Sequence, residues 1–234
     1  MKYNSNIENF IDGVDFTCQD PCVWIVYPAG AAGDLLASII NFHYVRTSAM
    51  FCGVTDTGQV IFRPTDNKIV NLHYIKDNTL ELNQQFIHQV NKSISEKNLN
   101  YSLLDMVLFA NHAWHDNQVN NILDFFPNGK IIRILPQTDL EQEIINWLSY
   151  YKNQNLLLDT PYLKTVIPLE QTKISNPRLL DIHFGNLFKS ETFEQLYNNI
   201  VNHLNLPYKL IRYDFINHWL KQQHSNIKSA LQSL

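Results

Sequence analysis

The sequence predicts an α/β protein: a mostly parallel central sheet with helices on both faces. Two observations predict it. Short apolar runs rich in β-formers recur at Cys22–Tyr27, Asp105–Ala110, Lys130–Leu135 and Arg178–Phe184. Stretches with helical periodicity lie between them, and strands that alternate with helices favour parallel pairing with both faces covered. Such sheets bind ligands beyond the carboxyl ends of their strands. The loops after Tyr27, Ala110 and Leu135 can therefore converge although they are far apart in sequence.

The first run organises the rest. Cys22–Tyr27 is short, apolar and β-forming, so it reads as a buried strand. Pro28–Gly33 is a tight loop of small residues. From Asp34 to about Val45, Leu35, Leu36, Ile39, Ile40 and Phe42 have the spacing of a helix packed on a sheet. A strand that feeds a helix through such a turn aims backbone N–H groups and the positive end of the helix dipole at one spot, which suits phosphate or sulfate. Ala29, Gly30, Ala31, Ala32, Gly33 and Asp34 are the candidate anion-binding positions. Gly30 and Gly33 let the backbone approach an anion with no Cβ in the way. The loop lacks the Gly-Lys-Ser/Thr ending of a Walker A motif, so no hydroxyl here reaches magnesium. Of a dinucleotide fingerprint only Gly30-x-x-Gly33 is present. Asp34 is a candidate N-cap whose charge would oppose a bound anion. The alternative is a compact strand–helix turn that binds nothing.

The remaining elements follow in order. Residues 1 to about 20 read as a polar lead-in with a short helix or turn. In 50–75, GQVIFRP and IVNLHYI are β-like runs separated by turn signals, so a β-hairpin or irregular insertion is expected there. Leu80–Lys97 reads as a helix with Leu82, Phe86, Ile87 and Val90 on one face. Asp105–Ala110 is a second buried strand that ends at Asn111 and His112. A short helix over Asn117–Phe126 is stopped by Pro127-Asn128-Gly129. Lys130–Leu135 is a third strand. Asp139–Tyr151 is a helix with Leu140, Ile144, Trp147 and Leu148 on one side. Residues 152–177 lack a period and read as a loop or lid. Arg178–Phe184 is a fourth strand. Ser190 opens a helix through Asn205, with Glu191 or Glu194 near its start. A last helix runs from Tyr213.

Composition sets bounds. At 234 residues the chain can bury a full core, and a single domain over 1–234 is expected. The net charge of −4 gives no general attraction to nucleic acid or anionic membrane, so any anion site is local. Cys18, Cys22 and Cys52 show no disulfide-framework spacing and suit a reducing compartment. Cys18 and Cys22 could pair or bind a metal, but no second cysteine pair completes a zinc site, so no metal is expected. The N-terminus has no apolar signal-peptide core, and no apolar run approaches the roughly 20 residues of a membrane span. A cytoplasmic location is expected.

The order of parts resembles the sulfotransferase family. Its members share a P-loop-like α/β fold and move a sulfuryl group from the nucleotide PAPS to an acceptor hydroxyl or amine. Tyr27-Pro28-Ala29-Gly30-Ala31-Ala32-Gly33 is similar to the family's 5′-phosphosulfate loop. VLFANH places His112 where many members hold their catalytic base. LDFFPNGKIIRILP is similar to the stretch that supplies 3′-phosphate ligands, and DIHFGNLF with the helix to HLNLP is similar to the family's C-terminal phrases. The similarity of order spans roughly Cys22 to Pro207. It implies PAPS or its product PAP as cofactor and a small-molecule or glycan acceptor. The loop places where the family carries Lys and Thr-Thr or Ser-Thr hold Ala, Gly and Asp34. The family's 3′-phosphate Arg position falls near Leu135 or Pro136, so the candidate ligands, Arg133 within the strand and Ser149 further down the helix than expected, are both displaced from it, and the basic C-terminal nucleotide loop is missing.

Sulfuryl transfer asks for positioning, charge stabilisation and a base for the acceptor proton. His112 is the candidate base, with Asp116 a candidate to orient its ring or that of His115. Two alternatives stand beside it: His112 ends its strand through backbone hydrogen bonds, the commoner role for such a residue, or it is a metal ligand, for which His112, His115 and Asp116 lack a distant partner. Arg133 could hold a nucleotide phosphate or pair with a structural carboxylate. Besides the transferase, two further readings stand: a P-loop-like binding or assembly module without catalysis, and a nucleotide kinase-like enzyme, against which the missing Lys-Ser/Thr speaks.

Overall fold

The computed structural model describes residues 16–33, 36, 37, 39, 40, 50–54, 60–63, 69–73, 82–96, 106–154, 174–188, 190–206 and 228. The reading of 152–177 as a loop or lid falls mostly outside them, and the last helix from Tyr213 falls outside them except for residue 228.

Seven strands are described: β1 (Cys22–Val26), β2 (Met50–Val54), β3 (Val60–Arg63), β4 (Ile69–His73), β5 (Met106–Asn111), β6 (Lys130–Leu135) and β7 (Leu179–His183). Five form one parallel sheet in the order β4-β5-β1-β6-β7. The helices are α1, with described positions within 33–40, then α2 (Gln84–Glu96), α3 (Asp116–Phe125), α4 (Asp139–Gln154) and α5 (Ser190–Leu204), with a 3-10 turn at Phe184–Phe188 between β7 and α5. The α/β architecture with a parallel sheet is as expected.

The region 50–75 differs in detail. β2 and β3 make an antiparallel pair, but IVNLH does not join them. It is β4, the edge strand of the main sheet, in parallel register with β5 from Ile69↔Met106 to His73↔Ala110. A short apolar run carries the same local signal in a hairpin and at a sheet edge, because its partner is set by tertiary contact.

Alternation along the strands sorts the core into two layers. Val23, Ile25, Leu108, Ala110, Ile132 and Ile134 pack with Leu36, Ile39 and Ile40 of α1, Ile144 and Ile145 of α4, and Tyr197 and Ile200 of α5. On the other face Trp24, Phe109 and Ile131 pack with Phe86 and Val90 of α2 and with Val119 and Ile122 of α3. Trp24 and Phe109 stack with centroids 4.4 Å apart. The lead-in is less polar than it reads: Phe16 is fully buried there, and its backbone N–H and C=O both bond the Asn91 side chain at 3.0 Å. Cys18 and Cys22 are free thiols, and burial pushes the Cys22 thiol up.

The helix ends have local causes. Asn83 caps α2, its Oδ1 accepting from Phe86 N at 3.0 Å, so the helix starts later than Leu80. Thr138 caps α4 through Glu141 N at 3.2 Å. Leu140, assigned to the packed face of that helix, is exposed, whereas Ile144 and Ile145 one turn further on are buried. Asn205, at φ 59°, ends α5 with Leu206 N donating to Val201 O and Asn205 N to Asn202 O. Lys130 Nζ donates to His203 O at 2.5 Å and His203 Nε2 lies 3.2 Å from Ile131 O, which docks this helix end on β6. Burial and the nearby Lys130 charge hold the His203 pKa below the usual imidazole value.

Candidate functional site

β1 is the middle strand, and both neighbours run parallel to it, so its carboxyl end opens beside those of β5 and β6. Tyr27 N donates to Asn111 O at 3.1 Å and carries the β1–β5 ladder one step past the strand. The chain then turns: Ala31 N donates to Pro28 O at 3.0 Å. Gly30 has φ 90° and Ala32 φ 59°. Ala32 O accepts the first helical bond, from Leu36 N at 3.2 Å, so α1 grows directly out of the turn. A left-handed alanine costs about 1–2 kcal/mol relative to its usual conformations, so the surrounding packing imposes this geometry.

The loop candidates divide. Ala31 is fully buried and its amide closes the turn, which commits it to structure. Ala29 is exposed, and Gly30 and Ala32 are half-buried. The amides of Ala29, Gly30, Ala32 and Gly33 meet no acceptor among the described residues. Asp34 lies outside the described residues. Gly33 is required for a reason that the sequence does not display. A Cβ there would lie 1.9 Å from Cδ1 of Tyr27, so the Tyr27 ring, itself buried, is seated on the glycine.

His112 follows β5 and stands next to this loop. Its Nδ1 is 3.2 Å from Tyr27 O, and the two rings meet edge-on with centroids 4.8 Å apart. A carbonyl can only accept, so the bond requires the proton on Nδ1. The lone pair of the neutral ring is then on Nε2, which makes Nε2 the basic nitrogen. His115 precedes α3, stacks on Trp114 at 3.8 Å, and its N–H donates to Gln118 Oε1 at 3.3 Å.

Arg133 lies on β6 and is 1% exposed. Its Nε and Nη2 donate to the two oxygens of Asp181 at 2.7 and 2.9 Å, and Asp181 is its register partner on β7. Its Nη1 donates to Asp116 Oδ1 at 2.5 Å and reaches Trp114 O at 3.5 Å. Burial disfavours the guanidinium charge, but the hydrogen bonds to Asp181 and Asp116 outweigh it and raise the pKa above the ordinary arginine value. The structural-carboxylate alternative for Arg133 is the one this geometry matches. Asp116, a candidate to orient an imidazole, gives Oδ1 to Arg133. Ser149 sits ten residues into α4, about 15 Å along the axis from the helix start at 1.5 Å per residue. Its backbone is therefore remote from the loop edge of the sheet.

Sequence reading missed Asp181 and Arg178. Arg178 holds the far end of α3, donating to the carbonyls of Phe126 at 2.7 Å and Leu123 at 2.9 Å. Asp181 had a signal: KIIRIL and RLLDIH carry charges of opposite sign, Arg133 and Asp181, at their fourth positions, and a charge buried in an apolar strand, as Arg133 is, demands a partner. Among the described residues no group of three or more His, Cys, Asp or Glu is placed to hold a metal ion, and no described helix is long and apolar enough to cross a membrane.

No family model matches the sequence, and no curated protein matches it. Among solved structures, the chain is similar to a sulfotransferase domain from the curacin biosynthetic pathway, with 12% identity, 82% of this chain and 76% of that chain covered, and a TM-score of 0.35. It is also similar to a sulfotransferase domain from the Synechococcus PCC 7002 olefin synthase, with 12% identity, 83% and 76% covered, and a TM-score of 0.36. Likeness at this level carries no argument about chemistry.

Proposed function

We propose that the chain is a divergent sulfotransferase that takes a sulfuryl group from PAPS to an acceptor hydroxyl or amine. The observation that carries the reading is the juxtaposition of the Pro28–Gly33 turn with His112, whose Nδ1 is bonded to Tyr27 O. The backbone amides of Ala29, Gly30, Ala32 and Gly33, at the start of α1, would hold the phosphosulfate end of the nucleotide. When bound, PAPS supplies an activated sulfuryl group. Nε2 of His112 would accept the acceptor's proton while the Tyr27 carbonyl steadies the imidazolium that forms. The residues fit the phosphosulfate end better than the 3′-phosphate end: Arg133 is committed to Asp181 and Asp116, and Ser149 is remote.

Isothermal titration of the full chain with PAP tests the reading. Binding that is lost on filling the loop at Gly30 is expected, and no heat at millimolar PAP would sink it. That same commitment of Arg133 favours a second reading, a P-loop-like anion-binding or assembly module without catalysis. On that reading His112→Ala leaves PAP or phosphate binding unchanged and no transfer is detected with any acceptor.

A further inference from the structure

We propose that Arg133 is a positioning residue for the His112 imidazole, acting through the turn at residues 114–116. The proposal rests on the reading of His112 as a base, but its test needs no ligand. His112 lies on a short connection between Asn111, the last residue of β5, and Asp116, the first of α3. The near end is fixed by the sheet, since Val26 and Asn111 are register partners and Tyr27 N bonds Asn111 O. The far end packs through the buried Ala113 and Trp114 and the core face of α3, and one buried cation ties it to β6: Arg133 Nη1 donates to both Trp114 O and Asp116 Oδ1.

Arg133 can act as an anchor because it cannot itself turn. Its Nε edge is held by both oxygens of Asp181, and a planar guanidinium fixed along one edge has a fixed direction for the remaining Nη1 protons. Asp116 also lies in the first turn of α3, where the helix dipole favours a carboxylate. The connection is thus held at both ends, and His112 meets Tyr27 O between them. The Tyr27 bond selects the tautomer with the lone pair on Nε2. Slack at residues 114–116 would loosen that bond and release the selection.

The tautomer is read directly from the side-chain nitrogen shifts of the histidines in uniformly nitrogen-labelled full chain, with His112 assigned from the signal absent in His112→Gln. Wild type is expected to show protonated Nδ1 and unprotonated Nε2. Asp116→Asn keeps the Arg133–Asp181 pair and weakens the hold on the turn. Arg133→Lys keeps the charge but cannot make the fork. In both variants the Nδ1–H fraction is expected to fall from nearly all to roughly half. Unmoved His112 shifts in either folded variant would overturn the proposal, even if the melting temperature dropped, because a purely structural cluster predicts that pattern. If Arg133→Lys fails to fold, Asp116→Asn decides alone. PAP titration fails independently: absent binding with a moved tautomer sinks the transferase and leaves the positioning role.

Discussion

The turn after β1 and the ion cluster on β6 stand side by side, since Val26 and Arg133 are register partners, yet they are built on opposite plans. The turn is made of small apolar residues whose backbone amides at Ala29, Gly30, Ala32 and Gly33 meet no acceptor among the described residues. The cluster brings one guanidinium and two carboxylates together and closes them on each other. The left-handed backbone at Ala32 fixes the shape of the turn, whereas the cluster ties α3 and the segment after β5 to β6. The difference teaches that, among the described residues, anion affinity at this edge would draw on oriented peptide dipoles and not on Arg133. The basic side chain in register with the end of β1 is already matched by acids.

Removing the cation gives the largest expected effect. Arg133→Met leaves Asp116 and Asp181 facing one another without a counter-charge. Both carboxylates keep partial contact with water, at 26% and 33% exposure, so the loss is placed at the low end for a broken buried pair, about 3 kcal/mol. Urea unfolding measures it, and a loss below about 1 kcal/mol would show that the cluster carries little of the fold. Gly33→Ala comes next. Its methyl group would overlap the Tyr27 ring, which costs about 2 kcal/mol for overpacking. It should also displace the turn, seen as changed amide shifts at Ala29 and Gly30. An unchanged melting temperature would mean that the ring swings away freely. The smallest effect is expected at Ala32, where φ is 59°. Ala32→Gly removes a left-handed alanine but also frees the unfolded chain and loses a methyl packed on the core, so stability should stay level or rise by about 0.5 kcal/mol. A drop beyond about 1 kcal/mol would show that methyl burial outweighs strain.

How far the sequence could be read follows from the range of each interaction. Lys130–Leu135 is legible to the residue because an apolar run bounded by Gly129 and Pro136 has few alternatives. The position of the turn after Tyr27 is legible for the same reason. The partner of IVNLH is not, since Ile69 pairs with Met106 across a segment whose length allows several registers. The commitment of Arg133 depends on the register of β6 against β7, and the need for glycine at 33 on where the Tyr27 ring folds back. Both are tertiary facts, although the opposite charges at the fourth positions of KIIRIL and RLLDIH did foreshadow the first.

The middle place of β1 in the sheet also governs how the molecule comes together. Its neighbours, β5 and β6, are supplied from Met106 onward, so Cys22 waits for Val107, and Val23 for Lys130, before either finds a backbone partner. Pairings so distant along the chain close late and slowly. The hydrogen bond from His112 to Tyr27 joins the same two distant segments, so the imidazole cannot take its place beside the turn until the centre of the sheet has assembled.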